Sequence, residues 1–503
     1  MPQTPDFPVA ILGTGFAGLG IAIRLKEQGE HDFVILERAG DVGGTWRDNT
    51  YPGCQCDIPS HLYSFSFAPN PDWSRLFPTQ PELWDYLRGC ADRYGLREHI
   101  RFDHEVQQAT WDEDFGFWRI RIPHGEITAR VIISGQGGLS EPQLPAIPGI
   151  ETFAGAMFHS AQWDHDHDLK GKRVAVIGTG ASSIQFIPKI QPEVSRLTLF
   201  QRTPPWIMPH PDRPIRGWEK QLFRRLPVTQ RLFRAGIYAF FESRVFPFTR
   251  KPELMKVGEK IALRHMAKQI PGDPELRAKL TPGYRMGCKR ILMSNTYYRA
   301  LAEPNAEVVT DPIAEIGPDF VRTAGGTRHQ VDTIILGTGF YVADMPFTAW
   351  VTGRGGRTMA EVFDGSPQAY LGTAVAGFPN LFLMTGPNTG LGHNSIVYML
   401  ESQFSYILDA LRTMQERNAG VIEVRPEAQR RYNDKLQKAM KNTVWTTGGC
   451  ASWYIDRNGL NTTLWPGWTW DYRRRTRTFD PQPYVLSPAP TGVPDRSADP
   501  LPA

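Results

Sequence analysis

Residues 7–18 read Phe7-Pro-Val-Ala-Ile-Leu12-Gly13-Thr-Gly15-Phe-Ala-Gly18, and the chain reaches Phe33-Val-Ile-Leu36-Glu37 after one helical stretch. Phe7 to Leu12 is a short apolar run of the kind that forms a buried strand. The spacing predicts a helix from about Ala17 to Gln28, closed by Gly29, and a second strand over Phe33 to Leu36. The order is therefore strand, glycine turn, helix, strand, acid. Gly13 permits the tight turn. Gly15 lets the backbone approach a pyrophosphate at the helix N-terminus, and Gly18 lets helix and strand pack closely. Glu37 lies 19 residues beyond Gly18, where a carboxylate can accept hydrogen bonds from a ribose diol. The pattern implies a dinucleotide-binding unit.

A second unit begins at Lys172. Arg173 to Ile177 reads as a strand and leads into Gly178-Thr-Gly180-Ala-Ser-Ser183, with the small Ser183 in the third glycine's place. The strand Leu197 to Phe200 then ends in Gln201-Arg202-Thr203. An arginine here pairs with a 2′-phosphate, which a carboxylate would repel, so this unit suits NADPH and the first suits FAD. Two such units in one chain imply electrons passed from one cofactor to the other. A disulfide reductase shares this layout but needs a cysteine pair spaced C-x4-C beside the flavin. Cys54 and Cys56 form only C-x-C. O2 is then the remaining acceptor.

The whole chain sets outer limits. Its 503 residues suit two or three domains. With 56 basic and 52 acidic residues the formal charge is only +4, which gives no case for nucleic-acid binding. The five cysteines, Cys54, Cys56, Cys90, Cys288 and Cys450, are odd in number and scattered, so reduced thiols are expected. MPQTPDFPVA lacks a signal-peptide pattern, and no apolar run reaches about 18 residues. A cytoplasmic chain is the expectation.

Between the two units lies Phe153-Ala-Gly155-Ala-Met-Phe-His159-Ser-Ala-Gln-Trp163-Asp164, which fits F-x-G-x-x-x-H-x-x-x-W-[PD] throughout. In this segment the chain resembles the Baeyer–Villiger monooxygenases. Further similarity covers about residues 7–470. It includes Gly43-Gly44-Thr45-Trp46 to Tyr51 and Asp57, Cys288-Lys289-Arg290, Asp332 to Phe340 and Phe382 to Leu391. The resemblance implies a ketone and O2 as substrates, and an ester or lactone as product. Sister enzymes oxidise N or S atoms instead, and a non-oxygenating NADPH oxidase or redox sensor is a further alternative. Arg290 would stabilise the anionic flavin peroxide and the later tetrahedral adduct, with Asp57 holding it. Gly44, Thr45, Trp46 and Tyr51 would lie along the flavin. Lys289 would join Arg202 and Thr203 on the 2′-phosphate. His159, on a domain linker, would act on domain motion, and Trp453 would stand on the substrate side. The stretch YIDRNGLNTTLWPG after Trp453 departs from the cyclic-ketone members.

The expected architecture is α/β, with two Rossmann-like dinucleotide-binding domains and a helical insertion. The FAD domain would be split over 1–148 and 343–503. The NADP domain would span 149–342, with the insertion at 213–287. That insertion mixes aromatic and basic residues, and a packed helical layer is preferred to a membrane contact. Asp164-His-Asp-His-Asp168 resembles a metal tract, but the family uses no metal, and no metal site is assigned. Arg473 to Arg477 reads as a solvated basic face, and the chain from Asp480 onward as disordered.

Overall fold

The computed structural model describes residues 4–342 and 345–490. The expected domain boundary at 342/343 thus abuts two residues outside the described set. Strand β1 (Phe7–Leu12), helix α1 (Phe16–Glu27) and β2 (Phe33–Leu36) form as the sequence implies. β1 is apolar on both faces because it runs in mid-sheet, parallel to β2 on one side and to a later strand on the other. The sheet continues through β3 (Ile100–Arg101), β4 (Gln108–Asp112), β5 (Phe117–Ile122) and β6 (Gly125–Ser134). β4, β5 and β6 form an antiparallel meander within an otherwise parallel sheet.

The second sheet holds β7 (Ala156–His159), β8 (Arg173–Ile177), β9 (Arg196–Phe200), β10 (Ala306–Val309) and β11 (Thr333–Leu336), in the order β10-β9-β8-β11-β7 and all parallel. Helix α2 (Ser183–Ile190) follows the second glycine turn. Between β9 and β10 come α3 (Gly217–Arg225), α4 (Pro227–Ser243), α5 (Val245–Thr249), α6 (Met255–Gln269) and α7 (Pro274–Lys279). The chain then returns to the first sheet: β12 (Val351–Thr352) pairs with β4, and β13 (Leu381–Leu383) with β6. Helix α8 (Ile396–Glu416) crosses α1 so closely that a β-carbon on Gly20 would lie 2.3 Å from the Phe404 ring.

Three expectations need correction. The fingerprint is no free linker, because its centre is β7, the edge strand of the second sheet, where His159 pairs with Leu336. The chain beyond Asp480 is not wholly irregular: Tyr484–Ser487 pairs antiparallel with Val421–Val424, since Tyr484 has a buried partner hydroxyl in Tyr406 at 2.9 Å. Residues 491–503 of that expected disordered end lie outside the described residues. The thiols are also not all free, as described below. The Arg473–Arg477 run falls partly on the helix Thr469–Arg475, where Arg473 reaches Glu401 and both Arg474 and Arg475 reach Asp471. No helix among the described residues is long and apolar enough to cross a membrane.

The insertion packs through one face of α4 and leaves Leu232 and Phe240 on the other face exposed. On the packed side His61 is 2% exposed, edge-on to Phe223 and Phe233, with its Nδ1 3.1 Å from Gln230 Nε2. Burial, aided by the Arg234 charge and opposed by Glu219, pushes its pKa down to about 4. The unfolded chain therefore binds a proton below about pH 6.5 that the folded chain refuses until about pH 4. Stability should be complete above that window and fall by about 3 kcal/mol across it as pH drops. Denaturant unfolding at both ends of the window tests this: His61→Asn should flatten the slope, and an unchanged slope would refute the assignment.

Candidate active site

Each glycine turn forms a bare backbone floor. Gly13 has φ +90°, and a β-carbon on Gly18 would lie 1.9 Å from the Gly13 carbonyl oxygen. Gly44, at φ +52°, faces Gly15 across the turn, where a β-carbon would come 3.2 Å from Gly15 Cα. Thr45 and Trp46 begin the short helix Thr45–Asp48, and Trp46 is buried with its Nε1 3.4 Å from the Tyr63 hydroxyl. In the second turn Gly178 has φ +109°, and a β-carbon there would lie 2.3 Å from Gly337 O. Ser183 is wholly buried, and its Oγ occupies the place a β-carbon on Gly337 would need, 2.1 Å away. Gly337, at the neighbouring strand end, leaves the room that the Ser183 side chain takes up. These floors fit a pyrophosphate at each turn, since a β-carbon on Gly13, Gly44 or Gly178 would meet only backbone. Gly180 leaves its turn similarly open, with Gly337 O 3.9 Å from where its β-carbon would be.

Glu37 is 3% exposed and already occupied. Its Oε2 accepts from Thr14 N (3.0 Å) and Thr14 Oγ1 (2.5 Å), and its Oε1 from Ala39 N (3.0 Å) and Arg47 Nη1 (2.9 Å). Those four donors use the lone pairs of a carboxylate. Glu37 thus builds the turn itself, and a ribose diol must displace one of these donors to reach it.

Arg202 is exposed, and Lys289 is half-buried with its ammonium pKa held below the usual lysine range by burial and by the Arg202 charge. Neither has a carboxylate partner among the described residues. Two converging cations without an acid are a fit for an anionic group. Thr203 lies beside them, its carbonyl accepting from Thr179 Oγ1 at 3.0 Å.

Arg290 and Asp57 meet across 233 residues. Arg290 Nε donates to Asp57 Oδ2 (2.9 Å), Nη2 to Oδ1 (2.8 Å) and Nη1 to the Leu391 carbonyl (2.9 Å). Burial works against the guanidinium charge, but Asp57 outweighs it and raises the pKa further. A guanidinium carries five N–H donors, so two remain for a ligand. Asp57 follows a loop that clasps the second domain: Tyr51 OH donates to Gln185 Oε1 (3.0 Å), and Gln185 Nε2 donates to Gln55 O (2.8 Å). The arginine pair therefore sits where the two dinucleotide units meet.

The fingerprint residues pack within the second unit. Gly155 is obligatory, because a β-carbon would lie 2.4 Å from Asp332 O and 2.8 Å from the Phe153 ring. His159 is 2% exposed, and its Nδ1 accepts from Ala161 N at 3.1 Å. Burial lowers its pKa, so it is a neutral cap on its own loop. Trp163 packs between Phe158 and Phe186, with ring centroids 5.2 and 5.3 Å away, and Asp164 accepts from Asp166 N. The two histidines of the acidic tract turn to different partners, His165 to Thr50 (2.7 Å) and His167 to Thr333 (2.8 Å).

Two features were not read from the sequence. Trp453 is 47% exposed, whereas its neighbour Tyr454 is 1% exposed and lies close enough to Arg290 and Asp57 to feel both charges. Burial pushes its phenol up to about 12. The aromatic pair Trp453-Tyr454 was the signal, but adjacent residues point to different sides and only the fold chooses between them. The second feature is a disulfide between Cys288 and Cys450, which corrects the expectation of five free thiols. Their separation of 162 residues hides the pairing. Cys54, Cys56 and Cys90 are buried thiols, and burial keeps them protonated, Cys54 at about 12 and Cys90 at about 11.

Comparison with known proteins agrees with this geometry. The family described as pyridine nucleotide-disulphide oxidoreductase matches residues 10–268. A Baeyer–Villiger monooxygenase of Streptomyces coelicolor is 52% identical over 493 residues, covering 98% of this chain and 95% of that protein. Among solved structures, OTEMO in complex with FAD and NADP superposes with a TM-score of 0.86 at 26% identity, over 96% of this chain and 100% of that one. A closed cyclohexanone monooxygenase superposes with a TM-score of 0.85 at 27% identity, over 97% and 100%. With two dinucleotide turns, a bidentate Arg290–Asp57 pair and a relative 52% identical over nearly the whole of both chains, the chain belongs to the Baeyer–Villiger monooxygenases.

Proposed function

We propose that Arg290, clasped by Asp57 between two dinucleotide turns, is the centre at which this enzyme inserts one oxygen atom of O2 beside a ketone carbonyl to give an ester or lactone. FAD would lie on Gly13, Gly15, Gly18, Gly44 and Thr45, flanked by Trp46 and Tyr51. NADPH would lie on Gly178, Gly180 and Ser183, with Arg202, Thr203 and Lys289 around its 2′-phosphate. When bound, NADPH supplies two electrons and FAD the place where O2 is activated. The rest is the work of the chain. The two free N–H groups of Arg290 stabilise negative charge that develops on oxygen at the ketone carbon, and they cost no reorganisation because Asp57 and Leu391 already hold the fork. Tyr454 closes the same space against water, and Trp453 stands on the substrate side. His159 holds its loop at the junction. The split FAD domain (1–148 and 343–503) and the NADP domain (149–342, insertion 213–287) would then move against one another through the Tyr51–Gln185 clasp. A ketone and O2 as small-molecule partners and a cytoplasmic location complete the reading.

The bidentate Arg290–Asp57 contact carries this proposal. The test is NADPH oxidation by the flavin-loaded enzyme with linear, cyclic and aryl ketones, read with product mass and H2O2 release. A ketone that accelerates NADPH use, suppresses peroxide and gains one oxygen as an ester is the expected result. Oxygen transfer to sulfides or amines alone would overturn it. Cofactor choice has its own signature: Arg202→Ala should lower kcat/KM for NADPH by about 10–100-fold, the loss of one charge-assisted contact, and leave NADH turnover unchanged. Equal losses with both cofactors would remove Arg202 from the 2′-phosphate site.

A further inference from the structure

The disulfide joins the segment that carries Arg290 to the segment that carries Tyr454. Cys288 is fully buried and directly precedes Lys289 and Arg290, just after Gly287 at φ +91°. Cys450 is half-buried and lies four residues before Tyr454. The chain around Cys450 has little else to hold it. Gly448 O accepts from Arg285 N at 2.9 Å, but residues 449–456 make only local hydrogen bonds, such as Ile455 N to Ser452 O at 3.0 Å. Among the described residues, the sulfur bridge and the buried Tyr454 ring are what tie this stretch to the Arg290 side. The fit is tight at the bridge: a β-carbon on Gly448 would lie 2.6 Å from Cys288 Cβ.

We infer that Cys288 and Cys450 form a reversible thiol–disulfide site that clamps Tyr454 over Arg290 and so sets how well the oxygenating centre is closed to water. The inference rests on the monooxygenase reading of Arg290. The oxidant is hydrogen peroxide, which a leaking centre makes from O2 and NADPH. The Cys450 thiolate attacks peroxide: an S–O bond forms, the O–O bond breaks, and the departing hydroxide takes up the proton the thiol gave up and leaves as water. The Cys288 thiol then attacks that sulfur: the S–S bond forms, the S–O bond breaks, and the departing hydroxide takes the Cys288 proton and leaves as a second water. Two thiols and one peroxide thus give one disulfide and two waters. The reductant is a dithiol. Its thiolate attacks the sulfur of Cys450, the less buried of the two residues, and expels Cys288, and its second thiol then releases Cys450, leaving two protein thiols and an oxidised dithiol. In a reducing compartment a bond of this kind serves as a transient or sensing one rather than a permanent staple. Peroxide released by an open centre would restore the clamp that suppresses it.

The experiment uses the full-length, flavin-loaded enzyme before and after dithiothreitol, and again after removal of the dithiol and addition of hydrogen peroxide. Alkylation under denaturing, non-reducing conditions should mark three cysteines in the oxidised form and all five after reduction. Hydrogen exchange of residues 449–456 should rise on reduction and fall again with peroxide. With a ketone that turns over, H2O2 released per NADPH should rise about fivefold on reduction, equivalent to roughly 1 kcal/mol, while anaerobic flavin reduction by NADPH stays unchanged. Cys450→Ser should resemble the reduced form and ignore dithiothreitol. Five alkylated cysteines in every state, three in every state, or reduction that alters neither exchange nor peroxide release would each overturn the clamp. Cysteine counts and exchange need no substrate, so they decide the clamp even if no ketone is oxidised, an outcome that would instead count against the monooxygenase reading.

Discussion

Arg290→Ala is expected to lower ketone oxygenation by about 10²–10³-fold, the usual effect of removing a preorganised donor from developing charge. NADPH should still reduce the flavin, because the second dinucleotide turn and the Arg202–Lys289 pair are left in place. Electrons then reach O2 with no productive outlet and appear as H2O2. The substitution also leaves Asp57 without its bidentate partner. Arg290→Lys makes the sharper comparison. It keeps one positive charge but cannot bond both Asp57 oxygens and the Leu391 carbonyl while offering two further donors. Lysine should therefore recover little of the lost oxygenation. The measurements are ester formation, peroxide release and anaerobic flavin reduction in parallel. An alanine variant that still makes ester within about tenfold of the parent would remove Arg290 from the chemistry.

Gly18→Ala should be the most damaging single-methyl change in the first unit. The added carbon would sit 1.9 Å from Gly13 O and 3.4 Å from Ile11 Cγ2, so α1 must lift away from β1. Overpacking of this kind costs about 1–3 kcal/mol, and here it would also displace the backbone proposed to face the pyrophosphate. Purified protein should be colourless and less stable. Gly15→Ala separates the two effects. Its β-carbon meets only Gly44 Cα, at 3.9 Å, so the fold should survive while flavin affinity drops about tenfold or more through loss of a backbone contact to charged oxygen. Thermal unfolding of the apoproteins together with flavin titration distinguishes them. Equal stability of the Gly18→Ala and parent apoproteins would refute the packing argument.

Local patterns in the chain announced both dinucleotide units, because a strand, a glycine turn and an amphipathic helix are written within about 30 residues. β1, β2, β8 and the glycine turns accordingly stand where their apolar runs and spacing placed them. Arg290, Asp57 and the fingerprint were legible only through a family resemblance, since no spacing rule joins residues 233 positions apart. Tyr454 and the Cys288–Cys450 bridge were missed for the same reason: each depends on which side of a loop faces Arg290 and on two segments 162 residues apart. Glu37 shows the reverse case, for its position was readable but its occupation by Thr14, Ala39 and Arg47 was not. Sequence alone placed the two dinucleotide folding units, because short-range backbone geometry decides them. The tertiary structure decided the Arg290–Asp57 pairing, the Cys288–Cys450 bridge and the burial of Tyr454, because these arise only where distant segments pack together.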